Sequence, residues 1–310
     1  MNGSWTPERV LATRMAAQRL VEPAVDLREV VALQAQDVGA AEIAARNRGL
    51  ELDGIRTWAM RGTLHLLHPS DVGWIVALLG PVFIAAGKRR RDQLGLDDEL
   101  CARALAALRE VLVEPMDRAA LVSALAEAGI VLDPQSQAPA HLLAFEAYSG
   151  VVWRGLDDTY RLAEPDETRH GVAELFRRYL TAYGPATLHD FAAWSGLPVR
   201  RVKAEVELEG LVETGFGLVH DDVVPKEPSK TIRLLGHFDT YLLGYRDRSL
   251  ALPAEFAPKI QTGGGFLTPH VVLDGRVVGT WSNARGEVLV APFVEEEGAE
   301  LRRLACEDTR

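Results

Sequence analysis

The chain has 310 residues, of which 47% are hydrophobic and 25% are charged, and its formal net charge at pH 7 is −10. This composition is typical of a soluble globular protein, and the length exceeds one ordinary core, so we expect two to four small domains. A membrane span is not expected because no apolar run approaches about 20 residues. Secretion is not expected because no basic leader precedes an apolar stretch.

The cysteines and the charge distribution narrow the possible classes further. Cys101 and Cys306 are isolated, so they cannot form a metal-binding quartet, and their number is typical of a reducing cytoplasm. Residues 1–91 hold 12 Lys/Arg against 9 Asp/Glu, a net of +3, and residues 92–310 hold 22 against 35, a net of −13. Nucleic acid would therefore be contacted through local patches and not through the overall charge.

The first segment, residues 1–92, is predicted to be mostly helical. Thr6 is the expected cap of its first helix, with Pro7 at the first helical position, and Asp26 with Glu29 is typical of a capping box. Pro81 is expected to kink or divide the last helix. The predicted helices cover residues 7–20, 27–33, 38–46, 53–60 and 70–91, and a strand or wing is predicted over residues 61–68.

The second and third segments, residues 93–165 and 166–225, each end in a predicted hairpin. In the second, helices are expected over residues 98–112, 118–128 and 138–148, before strands 151–154 and 159–162. In the third, Thr187 caps a helix that reaches Trp194, and Pro198 starts a second helix that ends at Gly210. Strands 211–214 and 218–220 follow. This order predicts a helix-turn-helix with a wing, which serves either DNA binding or protein interaction.

The fourth segment, residues 226–310, follows a linker over residues 225–228 and is predicted to be rich in strands. Glycine-rich turns separate these strands, and Gly263–Gly265 is one such turn. The expected strands cover residues 231–235, 270–273, 277–281 and 287–291, and a terminal helix is expected within residues 292–305. The strands of the fourth segment are expected to form a small barrel or half-barrel, so the predicted fold is mainly α with β (α+β), with tandem winged-helix units plus a C-terminal β-barrel.

The most informative motif is the tetrapeptide from Gln34 to Asp37. In a continued helix, residues two apart point in different directions, but in an extended chain they share one side. If the chain becomes extended at Gln34, the amides of Gln34 and Gln36 lie together and Ala35 lies opposite. Asp37 would then cap the next helix. The alternative is that both glutamines are solvated residues at a helix end.

Three other motifs carry less weight. His65 and His68 have no Cys or acidic partner at metal-ligand spacing, so no metal site is expected. The segment Gly236–Asp239 resembles a fragment of a catalytic triad, but the chain has no serine in a nucleophile elbow, and a polar corner of the barrel is the alternative. The turn at Gly263–Gly265 lacks the flanking strand and helix that a phosphate-binding loop requires.

Taken together, four stretches resemble the winged-helix DNA glycosylases of the AlkZ and YcaQ type. These stretches are spread over nearly the whole length, and their order and spacing are more specific than any one of them. They are Gln34–Gln36, Arg61–Leu66, Trp194–Leu197 and Leu235–Tyr241. The presence of glutamine at position 36, where the YcaQ branch has Asp, is similar to the AlkZ branch.

This resemblance implies three tandem winged helices around a DNA channel, with a C-terminal β-barrel. It also implies a DNA repair hydrolase that removes bulky N7-alkylated purines, some of them in interstrand crosslinks, with Gln34 and Gln36 as the catalytic residues. We expect double-stranded DNA with alkylated bases as the partner, no cofactor, no metal and no membrane. A monomer in the cytoplasm, associated with the nucleoid, is expected.

The chemistry of two amides limits the substrate independently of the resemblance. Glutamine cannot act as a general base near neutral pH, but its carbonyl oxygen can hold and orient a water. This suffices only if the base leaves easily, and N7-alkylated purines do so because they leave as neutral bases. Two amides then only position the water and stabilise the sugar cation. We therefore expect cleavage of cationic lesions and little activity on normal or deaminated bases.

Several further residues are candidates for assisting catalysis or for contacting DNA. Asp37 is either a helix cap or a base or electrostatic stabiliser, and His65 either packs within the wing or contacts the DNA. If His65 contacts phosphate, binding should strengthen as the pH falls through about 6.5. The candidate DNA contacts, which could instead be ordinary solvated helix residues, are Arg61, Lys88, Arg89, Arg90, Arg200, Arg201 and Lys203.

Two other functional classes remain possible on sequence alone. One is a winged-helix DNA-binding protein or regulator without catalysis, although such regulators usually carry one winged helix per subunit. The other is a protein-interaction module that no longer binds DNA. Release of 7-methylguanine from methylated duplex DNA distinguishes these classes from a glycosylase.

Overall fold

The computed structural model describes residues 4–164, 168–263 and 265–308. The predicted boundary at residues 165 and 166 and the central glycine of the Gly263–Gly265 turn lie outside these residues. The helices are α1 (Pro7–Ala17), α2 (Val38–Asn47), α3 (Pro69–Gln93), α4 (Asp98–Val111), α5 (Arg118–Glu127), α6 (Ala138–Tyr148), α7 (Val172–Tyr183), α8 (Leu188–Ser195), α9 (Val199–Glu205), α10 (Thr240–Leu243), α11 (Ala257–Ile260) and α12 (Gly298–Asp308). The strands are β1 (Ala32–Gln34), β2 (Ile55–Trp58), β3 (Leu64–Leu67), β4 (Val152–Arg154), β5 (Tyr160–Leu162), β6 (Leu211–Glu213), β7 (Leu218–His220), β8 (Ile232–Leu235), β9 (Gln261–Gly263), β10 (Phe266–Leu267), β11 (His270–Leu273), β12 (Arg276–Ala284) and β13 (Glu287–Pro292).

The chain forms two compact units. Unit 1 consists of Met1–Asp53, Ala173–Trp194 and Pro198–Arg310, and unit 2 consists of Gly54–Val172 and Ser195–Leu197. The prediction of a mixed α and β fold is confirmed.

Most of the predicted helix starts in both units are confirmed by their caps. The Asp97, Asp117 and Asp37 carboxylates each accept a hydrogen bond from a backbone N–H in the first turn of the following helix. The Thr187 hydroxyl accepts from the backbone N–H of Asp190, whose carboxylate accepts from the backbone N–H of Thr187. Such reciprocal bonds satisfy N–H groups that a helix start leaves without partners.

The core of unit 2 is built from α4, α5 and α6 with the β4–β5 hairpin. Its buried side chains include Leu108, Leu125, Leu142 and Tyr160. The hairpin was predicted, and its strands pair in antiparallel register from Val152–Leu162 to Arg154–Tyr160. A second hairpin in this unit, β2–β3, was only half predicted. Residues 53–60 were expected to be helical, which was wrong: Ile55–Trp58 is a strand, since β-branched and aromatic side chains favour it.

Helix α3 is continuous from Pro69 to Gln93, so of the two predicted effects of Pro81, a kink or a division, the division does not occur. In the part of the chain that the structure describes, it is the one helix long and apolar enough to cross a membrane, which the sequence reading overlooked. A core helix of a soluble protein meets the same test. The α3 residues Trp74, Ile75 and Leu79 are fully buried, so one face of α3 packs into the interior of unit 2.

An aromatic cluster forms the centre of unit 1. Helices α7 and α8 contribute Tyr179, Tyr183, Phe191 and Trp194, whose ring centroids lie 5.0–6.1 Å apart. Helix α7 was missed by the sequence prediction, although its apolar residues recur at helical spacing. The helices α7, α8 and α9 followed by the β6–β7 hairpin have the element order of a winged helix, and α9 ends at Glu205, before the predicted Gly210.

The carboxyl-terminal strands, predicted to form a small barrel or half-barrel, form an open sheet, and no closed barrel is found among the described residues. Strands β8, β11, β12 and β13 lie in the order β13-β12-β11-β8, so among the described residues β13 and β8 are its two edges. The four predicted strands are confirmed. The barrel was a wrong inference because strand spacing alone does not reveal whether the first and last strands pair. The predicted terminal helix is α12.

Candidate active site

The glutamine motif lies where strand β1 ends and helix α2 begins. The expected helix over residues 27–33 is one 3-10 turn, Leu27–Val30, followed by β1. Val31 joins them with φ 63° and ψ −54°, a backbone conformation that β-branched residues rarely adopt. Strain of this kind is found most often at functional sites. The chain is therefore extended at Gln34, as the motif required.

Within this turn the two amides face each other. The Gln34 Nε2 donates a hydrogen bond to the Gln36 Oε1 at 2.8 Å, and Ala35 between them is fully buried. Gln34 is 4% exposed, whereas Gln36 is exposed. The prediction that extension brings both amides to one side is confirmed. One amide is anchored in the protein and the other faces outward.

Asp37 caps helix α2, as predicted. Its Oδ1 accepts a hydrogen bond from the backbone N–H of Ala40 at 2.7 Å. The same oxygen lies 3.5 Å from the His237 Nε2. The cap fixes the carboxylate beside Gln36, so the two roles considered for Asp37, cap and electrostatic stabiliser, are compatible.

The segment Leu234–Thr240 lies along α2 and is part of the same site. The Asn47 Nδ2 donates to the backbone carbonyl of Leu234 at 2.9 Å. Gly236 lies over the middle of the helix, where an added Cβ would be 3.5 Å from Ile43. Sequence reasoning treated Gly236–Asp239 as a polar corner of a barrel. The structure instead places it against the helix that follows the glutamine motif.

A buried ion pair anchors this segment to the end of α2. The Arg48 guanidinium, fully buried, donates to both carboxylate oxygens of Asp239 at 2.9 and 3.0 Å and to the Thr240 hydroxyl at 3.1 Å. Burial alone would raise the pKa of Asp239, but the charge and hydrogen bonds of Arg48 outweigh it and lower that pKa. The pair therefore stays charged and holds the segment in one position.

His65 cannot act as the predicted pH-dependent phosphate contact. It lies on β3, is 1% exposed, and its Nδ1 is 2.9 Å from the Thr63 carbonyl oxygen, which fixes the proton on Nδ1. Burial, with a smaller contribution from the Arg61 charge, lowers the pKa of His65 to about 3. The ring is therefore neutral around pH 6.5, and the alternative of a packing histidine fits its position.

The candidate DNA contacts lie on both units. In unit 2, Arg61 has φ 56°, and the Gly62 carbonyl that follows accepts from the Tyr148 hydroxyl at 2.9 Å. Lys88 pairs with Asp92 and Asp98, while the Arg90 guanidinium donates to Gln137. Arg89 is exposed at the end of α3.

In unit 1, helix α9 carries the other three cations. Arg200 and Lys203 are exposed, and Arg201 pairs with Glu205 at 2.9 Å. Two of the candidate contacts, Lys88 and Arg201, thus already have a carboxylate partner. No group of three or more His, Cys, Asp and Glu that could hold a metal occurs among the described residues.

Comparisons with a family model, a curated protein and a solved structure all match the chain to the same family. The sequence model of the family described as "DNA glycosylase AlkZ-like" matches residues 27–308. The chain is 31% identical, over 356 aligned positions, to a Streptomyces sahachiroi protein named "Interstrand DNA cross-link repair glycosylase"; the alignment covers 96% of this chain and 92% of that protein. The structure of this chain is similar to a solved structure of Streptomyces sahachiroi DNA glycosylase AlkZ. The TM-score is 0.74 and the sequence identity is 26%, over 98% of this chain and 97% of that chain.

Proposed function

The chain belongs to the AlkZ-like family of DNA glycosylases, and from this membership we propose that it excises cationic N7-alkylated purines from double-stranded DNA. The substrates include bulky adducts and purines joined in interstrand crosslinks. Support for the crosslink comes from the relative, which is named for interstrand crosslink repair. We further propose that the enzyme acts as a monomer at the nucleoid in the cytoplasm, without a cofactor and away from membranes.

The observation that carries this proposal is the hydrogen bond between the Gln34 and Gln36 amides. It fixes the orientation of two neutral polar groups before substrate binds, so no reorganisation is required during the reaction. An amide oxygen can accept a hydrogen bond from a water and direct the oxygen lone pair of that water at the anomeric carbon. Neither amide takes up a proton near neutral pH.

Because these amides transfer no proton, the proposed substrates are lesions whose base leaves as a neutral molecule without being protonated. When the bond between the sugar and an N7-alkylated purine breaks, the base takes both electrons and leaves as a neutral molecule. The water adds to the sugar cation and loses a proton to solvent. An unmodified purine would leave as an anion unless it were protonated. We therefore propose that uncharged bases, including deaminated ones, are poor substrates.

We propose that the helix–hairpin segments of the chain are three winged helices that contact the duplex. The best support is α7, α8 and α9 with the hairpin β6–β7, where Arg200, Arg201 and Lys203 lie on α9. The similarity to the AlkZ structure over 98% of the chain supports the same assignment for the other segments. Basic side chains on such helices bind phosphates without reading sequence.

The test is release of 7-methylguanine from methylated duplex DNA under single-turnover conditions, beside a crosslinked duplex carrying N7-linked purines. We expect wild-type enzyme to release the base and unhook the crosslink, and to leave a uracil- or hypoxanthine-containing duplex intact. Gln34→Ala and Gln36→Ala should each lower the excision rate by about 10- to 1,000-fold, as loss of one positioned polar contact does. The DNA affinity of both variants should stay near wild type, and Gln36→Ala, at an exposed position, should also keep the wild-type thermal stability.

Gln135→Ala is the matched control, because Gln135 is an exposed glutamine in a loop of unit 2. Unchanged excision in both site variants would remove the catalytic assignment. Salt-dependent duplex binding without release of any base would instead identify a non-catalytic DNA-binding protein.

A further inference from the structure

We propose that His237 is a positioning residue of the glutamine site, which acts by holding the Asp37 carboxylate beside Gln36. This inference rests on the proposed function, since it assigns a role in the same reaction. Its basis is the geometry of Leu234–Thr240 along α2, which places a histidine next to the cap of the catalytic turn although the two are 200 positions apart in the chain.

The segment is fixed to α2 at two points. At the carboxyl end, Arg48 and Asp239 form the buried two-point ion pair. In the middle, Gly236 lies against Ile43. Since the backbone on both sides of His237 is fixed in this way, the His237 side chain is directed at the amino end of the helix.

Aromatic contacts fix the rotation of the His237 ring itself. The ring stacks on Phe266 with centroids 5.4 Å apart and an interplanar angle of 19°. Phe238 contacts both rings edge-on, at 5.4 Å from His237 and 5.2 Å from Phe266. Stacked and edge-to-face rings have preferred orientations. The contacts therefore fix the plane of the ring, and the Nε2 lies on the side of Asp37.

The Asp37 oxygen that faces His237 is the one that caps the helix. The Oδ1 lies 2.7 Å from the Ala40 amide nitrogen and 3.5 Å from the His237 Nε2. A carboxylate whose one hydrogen bond is to the helix N–H can rotate about its side-chain bonds, and the His237 Nε2 at 3.5 Å restricts this rotation and keeps the carboxylate beside Gln36. Positive charge develops on the sugar as the base leaves, and a fixed carboxylate stabilises it without moving. His237 itself transfers no proton and touches no reacting atom.

A double-mutant cycle tests this coupling. Asp37→Asn removes the charge but keeps a good helix cap, and His237→Ala removes the second partner. We expect single-turnover excision of 7-methylguanine to fall by about 30-fold for Asp37→Asn and about 5-fold for His237→Ala. The double variant should fall no further than Asp37→Asn, because His237 acts only through the carboxylate. The DNA dissociation constant should be unchanged in all three.

His237→Gln provides the rescue, because its side-chain amide is again an N–H donor, and it should recover most of the rate lost in His237→Ala. His189→Ala is the control for loss of an exposed histidine in unit 1. Multiplicative effects in the double variant would overturn the proposal. So would weakened DNA binding in His237→Ala, which would make His237 a phosphate contact.

A second readout requires no substrate. Hydrogen exchange at the first turn of α2, which contains the Ala40 amide, should speed up in His237→Ala and stay unchanged in His189→Ala. If the wild-type enzyme releases no base but the exchange difference is present, the proposed function fails and the coupling stands. If the exchange difference is absent, the coupling fails whatever the activity.

Discussion

The buried carboxyl group of Glu146 should make the stability of unit 2 depend on pH. It lies in α6, is 0% exposed, and both of its carboxylate oxygens are without a hydrogen-bond partner among the described residues. Burial raises the pKa of Glu146 to about 8, and the charge of Arg109 opposes this only in part. The carboxyl group is therefore protonated in the folded protein at neutral pH.

The sign and the size of the effect follow from the two pKa values. The unfolded chain releases this proton near 4.5, and the folded chain releases it near 8. Between these values the folded state binds more protons, so stability falls as the pH rises and levels off above pH 8. One pH unit corresponds to about 1.4 kcal/mol, so the loss across this window is at most about 5 kcal/mol. Glu146→Gln keeps the shape of the side chain and removes this titration.

The assay is urea unfolding from pH 5 to pH 8.5, with hydrogen exchange of α6 peptides to localise the change to unit 2. Glu146→Gln should match wild type near pH 5 and exceed it by several kcal/mol at pH 8.5. Glu127→Gln, at an exposed glutamate of α5, is the control. If Glu146→Gln follows the wild-type curve or is less stable at pH 8.5, the carboxylate has a partner and the reasoning fails.

Two further predictions concern a glycine contact and the phosphate contacts. Gly196 has φ +81°, and an added Cβ would lie 2.8 Å from the Phe83 ring and 3.1 Å from the Arg61 Cα, whereas Gly129, at φ +84°, has nothing within 4 Å. Thermal unfolding should therefore show that Gly196→Ala costs about 2 kcal/mol more than Gly129→Ala; equal costs would contradict the close approach. Binding measured at several salt concentrations should show that Arg200→Gln flattens the salt slope by about one unit. Lys88→Gln should flatten it less, because Asp92 and Asp98 already offset the Lys88 charge; a loss confined to particular DNA sequences would favour a regulator.

Local signals in the sequence predicted most helices and hairpins. Asp97 and Asp117 each precede an apolar helical pattern, and a carboxylate at a cap satisfies the N–H groups that the first turn leaves open. Predictions failed where tertiary contacts determine the backbone conformation or the pairing of strands. Residues 27–33 have a helical pattern, yet the chain becomes extended after Val30 through the strained Val31. The closed barrel failed because pairing between distant strands leaves no periodic signal.

The same distinction applies to the candidate site, where local features could be predicted from the sequence and features that depend on tertiary burial could not. The amide pair could be predicted because two residues two apart need only an extended backbone to share a side, and Asp37 could be predicted because a cap is a local signal. The sequence left both roles of His65 open, since its residue type suggested titration near pH 6.5, while its pKa depends on burial that no local pattern shows.

The residues that hold the segment next to the motif could not be predicted from local sequence. Arg48 and Asp239 are separated by 191 positions, and each is an ordinary charged residue in its own stretch of sequence. No local pattern marks either one, because the burial that makes each charge require the other results from tertiary packing. The residue types that support a catalytic motif can thus be sought by asking which buried charge near the motif has no partner in its own segment.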